Sequence, residues 1–185
     1  MKNRNVVLII ALAGIAVMMS SCRSIPKKAE PINNFKVDRY LGTWYEIARF
    51  DYLFEKNMDN ASAQYSLNAD GSVKVINSGY NYKKEKWSKV EGKAKFRGNE
   101  SVAALKVSFF GPFYSGYNVI ALDDNYRYAL VAGKNLNYLW ILSREKTVPD
   151  NVKDLYLKIA REIGYDVNKL IWVKQDRENP YASSN

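Results

Sequence analysis

No histidine occurs anywhere in this chain, which removes the commonest general base and metal ligand. The one cysteine, Cys22, has no partner for an internal disulfide. It follows Ser20 and Ser21 at the foot of an uncharged run, a position suited to modification of its thiol and badly placed for catalysis. A zinc site built on cysteine falls away with it. Glu46 is the carboxylate to weigh first, because a strand through its neighbourhood would turn it into an apolar interior, but a lone carboxylate is more often a structural hydrogen-bond acceptor. No acid–base constellation is visible. The sequence therefore argues for neither an enzyme, nor a metal site, nor a cofactor.

What surrounds Cys22 explains it. Lys2 and Arg4 precede an uncharged stretch from Val6 to Met19, and small residues follow. This is the layout of a secretory signal, and the run is too short for a comfortable membrane span. The position of Cys22 resembles a bacterial lipobox, in which the cysteine becomes the new N-terminus and takes a diacylglyceryl group and an acyl chain. Two or more chains anchor a protein stably where one is marginal. The alternative is an ordinary signal cut near Ser21, leaving a soluble exported protein. The boundaries expected are 1–21 for the signal, 22–34 for a lipidated tether and 35–185 for the folded domain. From Arg23 to Asn34 the composition is polar with two prolines, and as a flexible coil it would reach about 18 Å, standing the domain just off the membrane.

The formal net charge is +9, of which Lys2 and Arg4 belong to the leader. A basic surplus favours anionic surfaces or ligands. The basic residues are scattered singly among acids, without the concentrated stripe of a nucleic-acid module, so nucleic-acid binding is not expected.

Between Thr43 and Arg144 the chain repeats short runs rich in Val, Ile, Tyr, Phe and Trp, separated by turn residues. This is the signature of an antiparallel sandwich or barrel. Eight runs are expected, near 43–49, 62–67, 72–81, 86–96, 102–109, 116–122, 126–132 and 138–143. Turn sequences such as Asn68-Ala69-Asp70-Gly71 and Asp123-Asp124-Asn125 predict consecutive hairpins and hence an up-and-down order. After the eighth run the period changes: Val152, Leu155, Ile159 and Ile163 recur at three or four, predicting an amphipathic helix that starts near Pro149 and ends at Gly164. Its apolar stripe has only the outer wall of the sheet to pack against. Leu170 to Val173 is expected as an edge strand. The fold class is thus all-β, an eight-stranded antiparallel up-and-down barrel with one C-terminal helix on its outside.

Lysines in the strands set side-chain direction, since a lysine inside a small apolar barrel is costly. With Lys74, Lys93, Lys95 and Lys106 outward, Val73, Val75, Asn77, Val90, Ala94, Phe96, Leu105 and Val107 point inward. Eight strands enclose an interior that either fills with side chains or holds one small ligand.

The stretch from Asn34 to Arg49, with Gly42-Thr43-Trp44 at its centre, resembles the first signature of the lipocalins. Tyr126 after Asp123-Asp124-Asn125 matches their second, and Arg144 matches the third. With Phe109 to Tyr114 and Leu139 to Arg144, the chain is similar to the bacterial lipoprotein members of that family over nearly the whole exported part. The resemblance implies that Gly42, Trp44, Tyr126 and Arg144 are structural, with the arginine packed across the tryptophan at the closed end. It also implies a binding protein for a lipid such as a fatty acid or lysophospholipid. Arg23 after Cys22 is not the aspartate that retains lipoproteins at the inner membrane of enteric bacteria, so the outer membrane is the expected site.

Strand parity sends the loops after the first, third, fifth and seventh strands to the opposite, open end. The expected pocket lining is Tyr65, Val75, Phe96, Leu105, Val107, Tyr117, Val119 and Trp140, with Ala48 and Phe50 as further candidates. Lys83, Lys84, Lys86 and Lys134 are candidates for contacting a head group, against the plainer reading of solvated loops. The aromatic loop around Phe113 and Tyr114 is expected to touch a membrane or a second copy in a homodimer. Two other readings stay open at this point: an envelope interaction protein with a filled barrel, and a lipocalin-type enzyme.

Overall fold

In the computed structural model, which describes residues 24–52 and 55–181, the alternating segments become β1 (Gly42–Phe50), β2 (Met58–Leu67), β3 (Val73–Asn81), β4 (Lys86–Phe96), β5 (Ala104–Phe110), β6 (Phe113–Leu122), β7 (Tyr128–Ala132) and β8 (Leu139–Ser143). Each is antiparallel to the next, and β1 pairs with both β2 and β8. The eight-stranded ring is therefore closed. Cys22 and the expected signal, 1–21, lie outside the described residues.

Cross-strand partners share a face, so the register identifies the interior. Tyr65 opposes Val75, which opposes Gly92; Phe96 opposes Leu105, which opposes Tyr117; Val119 opposes Val131, which opposes Trp140. Apart from Gly92, these residues form one apolar cluster with Trp44, Tyr40, Phe35 and Tyr126. A second cluster lies on the outer wall, where Ile47, Leu130, Leu139 and Ile141 meet helix α2 (Asp150–Ile163). The helix ends where Gly164 takes φ +112°, its N–H bonding Ala160 and Arg161, a left-handed cap that glycine adopts without strain.

The stripe of α2 differs from the expected one by one residue. Leu155 is 52% exposed, whereas Tyr156 is buried and donates its hydroxyl to the Tyr128 carbonyl at 2.8 Å. Tyrosine wins the inward position because the wall offers its hydroxyl an acceptor. Strand β9 (Leu170–Trp172) pairs with Ala48 to Phe50 of β1, just where β2 has left it.

A larger departure concerns the segment before the barrel. Residues 24–34 do not form the coil expected of a tether. Ile32 donates to the Val119 carbonyl at 2.9 Å and accepts from Ala103 N–H, Ala29 is buried, and the Ser24 carbonyl accepts from Asn118 Nδ2 at 2.9 Å. Gly116 makes room for this approach, since a Cβ there would meet the Ser24 carbonyl oxygen at 1.9 Å. The segment runs along the wall from the open end to the floor, held by backbone hydrogen bonds that a polar composition does not reveal.

Candidate functional site

Helix α1 (Val37–Tyr40) crosses beneath the barrel and seats the floor. Trp44 is fully buried and donates its indole N–H to the Tyr40 carbonyl at 2.8 Å. The Arg144 guanidinium lies 4.0 Å from the Trp44 ring centre, the stacking expected from the resemblance. Gly42 holds φ +90° directly beside it, and Tyr126 accepts from Lys36 N–H through its hydroxyl at 2.9 Å. All four signature residues therefore meet at the closed end.

Above this floor three tyrosine hydroxyls meet. Tyr117 bonds Tyr40 at 2.7 Å and Tyr65 at 2.9 Å. Burial raises all three phenols above the ordinary value, so they remain neutral and exchange hydrogen bonds. Of the eight expected lining residues, Tyr65, Val75, Leu105 and Val119 are buried in the interior cluster, whereas Phe96, Val107, Tyr117 and Trp140 face inward and remain partly accessible. Val90, opposite Asn77 on the inward face, is 37% exposed. A residue that faces into the barrel and is left uncovered shows that side chains do not pack the interior solid at that level.

Two candidates are corrected. Ala48 and Phe50 belong to the outer cluster under α2. Between Glu46 and Ala48 the pairing of β1 with β8 shifts register, and such a bulge reverses which side chains point inward. Arg49 takes the inward place, opposite Trp140.

The consequence is an ionic cluster that the sequence reading missed except for Glu46. Arg49 is 1% exposed. Its Nη1 donates to Glu46 Oε1 at 3.0 Å, its Nε lies 3.5 Å from Glu55 Oε2, and its Nη2 donates to the carbonyls of Glu55 and Met58 at 2.8 and 3.0 Å. Trp140 Nε1 donates to Glu55 Oε2 at 3.5 Å. Burial, and then the negative charge of Glu55, hold the Glu46 carboxyl well above the usual carboxylate range against the pull of Arg49. Burial also raises Glu55, opposed by hydrogen bonding from Tyr52 and the charge of Arg49. One cation facing two buried carboxyls leaves the pair holding a proton.

This proton has a testable sign. The folded state keeps it at pH values where the unfolded chain has lost it, so its contribution is complete below the ordinary carboxyl pKa. It is lost as pH rises through the folded value, by about 1.4 kcal/mol per pH unit for each retained proton. Glu46→Gln replaces the protonated carboxyl with a neutral amide that still accepts from Arg49. The variant is expected to gain stability relative to the parent as pH rises from 5 to 8 in urea denaturation; parallel profiles would show Glu46 to be ionised throughout.

The expected head-group residues lie at the open end and are exposed: Lys83, Lys84 and Lys86 at the β3–β4 hairpin, and Lys134 in the β7–β8 loop. Asn77 Oδ1 is buried on the inward face without a hydrogen-bond partner among the described residues. An unpaired buried acceptor is costly, and a donor on a bound molecule would satisfy it.

Comparison with known proteins agrees with this geometry. Residues 35–175 match the family described as "Lipocalin-like domain". The chain is 57% identical to "Outer membrane lipoprotein Blc" of Citrobacter freundii over 90% of its own length and 96% of the relative's. It is 43% identical to the protein of that name from Vibrio cholerae, over 86% and 94%. Among solved structures it is similar to insecticyanin from the tobacco hornworm Manduca sexta, with a TM-score of 0.66 at 22% identity over 83% of this chain and 86% of that one.

Proposed function

The chain belongs to the lipocalin family, and from that premise we propose that it is a lipid-anchored protein of the bacterial envelope that binds, and so stores or transports, a fatty acid or lysophospholipid. The single observation that carries the reading is an interior that its own side chains do not fill. Its lower part is lined by the apolar cluster and the three tyrosine hydroxyls, while inward-facing Val90, Val107, Phe96 and Trp140 stay partly accessible below the exposed aromatic and basic side chains of the open end. Such a calyx takes an acyl chain inside and an anionic or phosphate head at its rim. Burying ten methylenes contributes roughly 8 kcal/mol before association costs, enough for micromolar binding without a special contact. The names of the relatives support anchoring at the outer membrane through Cys22, with the lysines of the rim as head-group contacts. Nothing in the arrangement calls for turnover of the ligand: the carboxyl pair is engaged by Arg49, and the chain has no histidine to move protons.

Native mass spectrometry of the protein purified without detergent, titrated with palmitate, lysophosphatidylethanolamine and cholesterol, tests the reading. Saturable one-to-one binding of the two amphiphiles is expected. No binding to folded protein would overturn it in favour of an interaction protein with a filled barrel. Trp140→Ala removes one wall of the interior and is expected to weaken palmitate binding about tenfold, the equivalent of losing some 50 Å² of apolar contact at ~25 cal/mol per Å². Calorimetric titration reads this directly; unchanged affinity would put the acyl chain elsewhere.

A further inference from the structure

We infer that the barrel docks on the membrane mouth first, with the β5–β6 loop dipping into the lipid surface, so that the mouth opens directly onto the bilayer. The inference rests on the acyl anchor at Cys22 proposed above, and it follows from where the fold brings the chain next to that residue. Ser24 is pinned to β6 by Asn118 and by the approach at Gly116, and Asn118 also bonds the Ala132 carbonyl where the β7–β8 loop begins. Gly116 is three residues from Phe113 at the loop, about 10 Å along a strand. Two residues from Ser24 to Cys22 span at most ~7 Å. The anchor is thus leashed level with the start of the β7–β8 loop, about 10 Å from Phe113 and about 20 Å from the far end of β6, six residues on from Gly116.

The rim is built for such contact. Phe113 is 80% exposed, Phe110 62% and Tyr114 43% on one loop, and Leu136 is 41% exposed on the next. Large exposed apolar side chains gathered at one end mark a contact surface, and aromatic side chains suit the boundary between head groups and acyl chains. Beside them a groove of about 490 Å³ is lined by Ile25, Pro26, Leu136 and Ile163 with Lys27, Lys28 and Lys134. These lysines lie on the leashed segment and on the loop it touches, where they meet anionic head groups as the anchor inserts. A water-facing mouth would leave the aromatic loop in solvent and pull the short leash taut.

With Cys22 acylated, a cysteine introduced elsewhere is the chain's single free thiol. The acylated protein is reconstituted in vesicles of phosphatidylethanolamine and phosphatidylglycerol as three variants, Phe113→Cys, Asn125→Cys in the β6–β7 turn at the floor and Lys158→Cys on the outer face of α2. Each carries an environment-sensitive fluorophore and is mixed with lipid-borne quencher. Label at position 113 is expected to shift to the blue and be quenched several-fold more than at 125 or 158. Equal quenching at 158 means that the barrel lies on its side, and equal quenching at 125 that the floor is down; either overturns the inference while the anchor stands. A blue shift at 113 without vesicles that grows with protein concentration gives the loop to a second copy and also overturns it. Failure of the protein to float with vesicles overturns the anchor, and the orientation with it.

Discussion

Arg49→Met is expected to lower the unfolding midpoint by about 10 °C or more, the result of a loss near 3–5 kcal/mol when one partner of a buried ionic cluster is removed. The side chain is 1% exposed and stands between two carboxyls. It also ties the loop after β1 to the barrel through the Glu55 and Met58 carbonyls. Methionine fills much of the volume but leaves Glu46 and Glu55 facing each other without a cation. Adding Glu46→Gln and Glu55→Gln removes the stranded charges, and the triple variant is expected to recover most of the loss, since a buried ion pair is often no better than neutral groups of the same shape. Thermal melts of the three proteins check this. A single variant within 1 kcal/mol of the parent, by the same comparison, would mean that water or a rearranged loop already neutralises the cluster.

This cluster also shows where sequence reading stops. The eight-strand order was legible because the turns at Asn68 to Gly71 and Asp123 to Asn125 punctuate period-two runs, and lysine avoidance placed Val75, Val90, Phe96, Leu105 and Val107 inward, as the register bears out. The same parity fails in β1, because the bulge between Glu46 and Ala48 has no glycine or other turn residue to announce it. Everything above the bulge inverts, so Ala48 and Phe50 go to the wall and Arg49 goes inside. The rule that charges stay out of small barrels is overcome there by two carboxyls, one of them delivered by a loop. Long-range polar contacts are equally silent in the sequence. Asn118 fixes Ser24 across 94 positions, and no local composition signals that residues 24–34 follow the wall.

Arg144→Ala is expected to cost about 3 kcal/mol, from hydrogen bonds of a charged donor at ~1.5–3 kcal/mol each, offset by solvent, and a cation–π contact of ~0.5–2 kcal/mol. The guanidinium donates to the carbonyls of Thr43 at 2.7 Å, Leu41 at 2.8 Å, Arg39 at 3.0 Å and Tyr126 at 3.3 Å while covering Trp44. It thereby joins the entry to β1, the β6–β7 turn and the end of β8 at one point. A single ammonium cannot donate in four directions from a plane, so Arg144→Lys is expected to recover less than half of the loss. Because Trp44 separates this arginine from the interior, palmitate affinity should stay within about twofold of the parent, a change of roughly 0.4 kcal/mol, whereas Trp140→Ala moves affinity more than stability. Melting and calorimetric titration of the Arg144 and Trp140 variants side by side decide the matter. If the Arg144 variant loses affinity as steeply as stability, the floor is part of the pocket, and the two ends of the barrel do not divide support from binding.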